Sequence, residues 1–168
     1  MPILTQTLSA NTAIALDLSS LAASASFVGG RESTQIDNTS TNYLDVIVNV
    51  KGITGSASAP TAGQGINVYA WGADTSLATT AIDTLVGVDG ARTITLPALQ
   101  SLRFAGRAFT TVATASQVYY FMPFSIAPLF GGVMPKFWGL FPATDLTGGL
   151  AAAMSAKFSF NGVSYTSN

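Results

Sequence analysis

Histidine and cysteine are both absent from the 168 residues, so any chemistry falls to eight carboxylates, seven lysines and arginines, and the hydroxyls. Ser-His-Asp and Cys-His catalysis need an imidazole base, and zincin or cupin-type metal sites need histidine ligands. Without thiols there are no disulfides and no thiolate nucleophiles. What remains is a pair of acids of the kind that hydrolyses glycosides, with two carboxyls about 5–10 Å apart. The acids are Asp17, Glu32, Asp37, Asp45, Asp74, Asp83, Asp89 and Asp145. Most stand in turn-like settings: Asp74 follows Trp71-Gly72, Asp89 precedes Gly90, and Asp145 precedes Thr147-Gly148. An aspartate in such a place closes the turn through its own side chain.

Other motifs are weaker still. No spacing marks a Ser-Lys dyad. Asp37-Asn38 lacks the pattern of a calcium loop. Gly63-Gln64-Gly65 precedes a strand-like run instead of a helix, so it is not a dinucleotide fingerprint. Asn38-Thr39-Ser40 has the form of a glycosylation sequon, but the chain starts without the basic segment of a signal peptide. The residues therefore predict no enzyme, no metal and no cofactor.

Aromatic side chains are the other candidates. Trp71, Trp138, Tyr69, Tyr119, Tyr120 and Tyr165 could stack on sugar rings, although in alternating strands such residues serve more often as core or interface. Arg31 and Glu32 are an opposite-charge pair just after a strand-like run. In so uncharged a chain their partners are each other or a neighbouring subunit.

The elements that must position these residues read as β-structure. Strand-like runs are short and bounded by turn residues. Residues 43–50 alternate, with Leu44, Val46, Val48 and Val50 on one face. Residues 66–71 alternate and stop at Gly72, and residues 92–96 end before Pro97. Residues 117–122 and 136–141 are apolar on both faces, as central strands are. Residues 157–160 and 163–165 flank Asn161-Gly162, which is a turn or a bend within one strand. Weaker candidates at 12–16, 24–28 and 102–109 bring the total to about eight. That count predicts an all-β, jelly-roll-like antiparallel sandwich. Helical signal is confined to single turns near 81–86 and 98–102 and to an Ala-rich 150–156. Residues 52–65 read as a long uncharged loop. Residues 1–24 are predicted as an extended N-terminal arm and first strand, and 25–168 as one sandwich domain.

Charged residues make up 9% of the chain, against roughly 25% in an average soluble domain. Soluble monomers keep apart by surface charge, so the deficit predicts a subunit covered by companions. A net charge of −1 leaves no basic stripe for nucleic acid. The uncharged stretch between Arg107 and Lys136 is broken by Pro123, Pro128 and Pro135, so no membrane helix is expected there.

Two stretches carry a resemblance. The first is Gly30-Arg31-Glu32-Ser33-Thr34 with Ile36-Asp37-Asn38-Thr39-Ser40 and Tyr43-Leu44-Asp45. The second, more specific, is Tyr120-Phe121-Met122-Pro123-Phe124-Ser125-Ile126-Ala127 with Leu129-Phe130-Gly131-Gly132-Val133-Met134-Pro135-Lys136-Phe137-Trp138-Gly139. Together, over roughly residues 25–168, they resemble the jelly-roll cement or decoration proteins of tailed-bacteriophage heads. Pro142, expected to interrupt a strand, and the Ala-rich 150–156 depart from that pattern. The resemblance implies a homo-oligomer, a trimer foremost, made in the host cytoplasm and bound outside the head across junctions of the major capsid protein. By their own apolar character Ile3, Leu4 and Leu8 read either as an arm that straps a neighbour or as an ordinary first strand, and Arg31, Glu32, Asp37 and Trp138 would meet other copies. The rival reading is a tail-associated carbohydrate-binding module of the same fold.

Overall fold

The computed structural model describes residues 4–167. They form thirteen strand segments and very little helix. In chain order the strands are β1 (Leu4–Leu8), β2 (Thr12–Ala13), β3 (Gly29–Glu32), β4 (Ile36–Asp37), β5 (Asp45–Val50), β6 (Ile53–Thr54) and β7 (Gly65–Ala73). After β8 (Gly90–Thr93) comes the short helix α1 (Leu96–Ser101). Then follow β9 (Arg103–Phe109), β10 (Val118–Tyr119), β11 (Phe124–Ser125), β12 (Phe137–Thr144) and β13 (Phe158–Ser167). A 3-10 turn spans Ala127–Phe130.

The strands make two main antiparallel sheets. One runs β1-β13-β5-β11, with β2 also on β13; the other runs β8-β3-β12-β7-β9, with β4 also on β12. β10 and β6 form a separate two-stranded ribbon. The two main sheets pack face to face. Val46, Val48, Phe158 and Phe160 from the first meet Ile66, Val68, Ala70, Trp138 and Leu140 from the second in one buried cluster. The rings of Trp138 and Phe160 meet edge to face at 5.5 Å across this seam. The expected all-β antiparallel sandwich is therefore present.

The central strands of the second sheet, β7 and β12, are buried on both faces. Their outer face carries Trp71, Phe141 and Ala143, covered by Leu77, Leu85, Ile94 and Leu102 from the segment around α1. This explains why β7 and β12 read as apolar at successive residues instead of alternating. Thr95 caps α1, its hydroxyl accepting from the Ala98 N–H, and Pro97 stands in the first turn, the two usual signals of a helix start. A glycine makes room for the ring of Trp71. Trp71 lies directly opposite Gly139, and Trp138 opposite Gly72 in the adjacent pair of the ladder. A Cβ on Gly139 would fall 2.6 Å from Cε2 of Trp71 and 2.9 Å from Oγ of Ser33. Gly139→Ala is therefore expected to cost about 2 kcal/mol or more by overpacking, read as a lowered denaturant midpoint with unchanged m-value.

Several expectations are corrected. Residues 117–122 are not a central strand. Only Val118 and Tyr119 pair, with β6, while Tyr120 and Met122 are 75% and 86% exposed. Pro142 does not interrupt β12. The N–H and C=O of Leu140 face β3, bonding Ser33 Oγ and the Ser33 N–H. By alternation Pro142 faces the same way, where β12 meets β3 only at Ala143 and Gly30. The register sets Pro142 opposite Arg31 of β3, so only one donor on that side is lost, and pairing with β7 continues on the other side. β7 likewise runs past Gly72 to Ala73. Leu44 lies outside the buried face of β5 and is 58% exposed. Residues 24–28 are turn, with the strand beginning at Gly29. Residues 81–86 and 150–156 form no helix, and 92–96 is divided between β8 and the cap of α1. Asn161-Gly162 lies inside the single strand β13, whose Gly162 leaves room for the ring of Tyr43.

Candidate functional site

Of the eight acids, all but Asp74 accept hydrogen bonds from other described residues of the chain. Asp17 Oδ1 accepts from the Ser19 hydroxyl at 2.5 Å and the Ser19 N–H at 2.9 Å. The hydroxyl bond is the main reason its carboxyl is held below the ordinary aspartate range. That contribution to stability is present at neutral pH and fades as pH falls through the lowered value. Asp37 makes the same turn with Thr39, both bonds at 2.7 Å, and its carboxyl is lowered for the same reason. Asp45 accepts from Ala127 N, Asp83 from Thr95 N, and Asp145 from Gly65 N. Among the described residues, no group of three or more acids is placed to hold a metal.

Two ion pairs flank the β3–β8 edge, one on each face. Arg31 grips Asp89 with two bonds, Nε–Oδ1 at 2.8 Å and Nη2–Oδ2 at 3.0 Å. Asp17 N approaches the same Asp89 oxygen at 3.4 Å. Glu32 is wholly buried, pairing with Arg92 Nε at 3.0 Å and accepting from Gly87 N at 2.6 Å and Val86 N at 3.1 Å. Arg31 and Glu32 thus do not pair with each other; each has its partner elsewhere in the chain. They point to opposite faces of one strand, and each fixes the 86–89 loop.

Of the predicted contact residues, Ile3 lies outside the described residues. Leu4 is the first residue of β1, and Leu8 ends it, 58% exposed. The arm is an edge strand on its own β13, with Leu8 opposite Val163. Ser9 locks it there through bonds to Asn161 and Gly162. Arg31 and Asp37 keep some surface, but Glu32 and Trp138 have none and are corrected to core residues. Asn38 of the sequon is 7% exposed, with its amide bonded to Tyr43 O and its carbonyl accepting from Tyr43 N and Thr41 Oγ1. It is a structural turn residue.

What the structure does bring together is the pair of stretches singled out in the sequence. β4 pairs with β12 (Asp37 opposite Phe137), and β11 pairs with β5. Asn38 N donates to Lys136 O. The loops that follow enclose a surface groove of about 580 Å³, with Asn38, Asn42 and Leu44 on one wall and Val133, Met134 and Lys136 on the other. Leu44 and Val133 are 58% and 71% exposed. Sequence reasoning missed Val133; its signal was an apolar residue after Gly131-Gly132, where both glycines adopt left-handed φ and hold the loop outward.

Compared with protein-family models, curated proteins and solved structures, the chain finds no match in any of the three. No helix among the described residues is long and apolar enough to cross a membrane.

Proposed function

We propose that this protein is a cement protein of the tailed-phage kind, which docks on an assembled shell and bridges its subunits. The observation that carries the reading is the groove between the 38–44 and 132–136 loops. Residues from both resemblance-bearing stretches form it, and it exposes Leu44 and Val133 beside a single charge, Lys136. Support also comes from the 9% charge content; a surface so poor in ionic groups suits many apolar and hydrogen-bonded contacts repeated by symmetry. Each copy touching several shell subunits gains by avidity, so modest individual contacts suffice. Homo-oligomeric assembly, with a trimer foremost, belongs to the same proposal.

The test compares shells of the parent particle with and without the protein, under heating and at low salt, together with the Leu44→Asp/Val133→Asp variant. Shells carrying the wild-type protein are expected to resist more strongly. The variant is expected to stay folded, because both side chains are exposed, but not to bind. Equal shell resistance, or undiminished binding of the folded variant, would count against the proposal.

A further inference from the structure

A second groove, of about 350 Å³, separates the edge strand β9 from β10. That volume is at the small end of ligand sites, which run ~300–1,000 Å³. Arg107 and Phe109 come from β9, and Gln117, Val118, Tyr119 and Tyr120 from the β10 segment. Phe109 and Tyr120 are 59% and 75% exposed. Tyr120 and Val118 rest against Gly52, where a side chain would displace them.

Two polar side chains of the same lining are fixed but not saturated. Arg107 Nη2 donates to Gly63 O at 2.9 Å and lies 3.5 Å from Asp145 Oδ2, while Nη1 makes no hydrogen bond among the described residues. Gln117 Oε1 accepts from Thr110 Oγ1 at 2.5 Å, leaving its amide nitrogen without a described partner. Tyr119 adds nothing to them, because its ring is buried on the core side against Gly55.

We infer that this groove binds a neutral saccharide, with a pyranose ring between Phe109 and Tyr120. A sugar ring presents an apolar C–H face to an aromatic ring and a rim of hydroxyls to Arg107 and Gln117. An anion is disfavoured because Asp145 already neutralises Arg107. The flat face of another sheet cannot enter so small a concavity. The inference does not depend on the shell-docking reading, whose groove lies between other loops.

The experiment is saturation-transfer NMR of the full chain with a panel of neutral mono- to tetrasaccharides of glucose, galactose, mannose and N-acetylglucosamine. At least one is expected to receive saturation at its ring C–H protons. Phe109→Ala and Tyr120→Ala are each expected to weaken that binding about tenfold, without moving the melting temperature. No binding by any member at millimolar concentration would overturn the inference, as would binding that both variants leave unchanged. A change in self-association in the two variants with no sugar bound would assign the rings to a contact between copies, and the inference would fall.

Discussion

Replacing Trp138 by alanine is expected to cost about 4 kcal/mol, the middle of the range for removing a fully buried large aromatic. Trp138 has no exposed surface, sits between β4 and β7 in the second sheet, and meets Phe160 of the opposite sheet edge to face at 5.5 Å. It therefore contributes area to both sides of the seam that joins the sheets. At roughly 2–4 °C per kcal/mol for a chain of this size, the melting temperature falls by about 8–16 °C. Its indole nitrogen makes no hydrogen bond, so Trp138→Phe forfeits only ring area and is expected to lie between alanine and wild type. Calorimetry checks both. An alanine variant that melts with the wild type yet no longer associates would place Trp138 at an interface instead of in the core.

Glu32→Ala is the second large effect, expected to destabilise by about 3 kcal/mol. Breaking a buried ion pair by removing one partner costs roughly 3–5 kcal/mol. The lower end applies because Arg92 keeps 26% of its side-chain exposure and can regain water. Most of the loss comes from the N–H groups of Val86 and Gly87, whose acceptor disappears. The melting temperature is expected to drop by about 6–12 °C, and the 84–90 segment to exchange its amide hydrogens faster. Glu32→Gln keeps one carbonyl acceptor in place and is expected to lose less. An alanine variant with wild-type melting and exchange would show that the carboxylate does not hold the loop.

These two residues mark where reading the chain was misleading. Both were expected at contacts with other copies. A Trp beside Lys136 and a Glu beside an Arg each look like surface until the pairing of strands is known. The ladder puts Trp138 against Gly72 and the loop after Leu85 over Glu32, and neither neighbour is adjacent in sequence.

Local signals were enough where the physics is local. The alternation in 43–50 and 66–71, the turn-forming aspartates and the absence of imidazole and thiol all follow from residue type and spacing. They specified an antiparallel β fold and removed most catalytic chemistries. The charge deficit, too, is a property of composition alone.

The tertiary structure decided whatever rests on non-local contact. Periodicity cannot separate a strand buried on both faces from an exposed apolar run, because burial depends on what packs above it. So 136–141 became the centre of the sandwich, while 117–122, with the same appearance, became a rim that displays Tyr120 and Met122. Pro142 falls opposite Arg31 of β3, so its missing donor costs a bond on that side alone while the pairing of β12 with β7 is kept. Both grooves, and the choice of Leu44, Val133, Phe109 and Tyr120 as their exposed walls, arise from loops far apart in the chain that the sheets bring side by side.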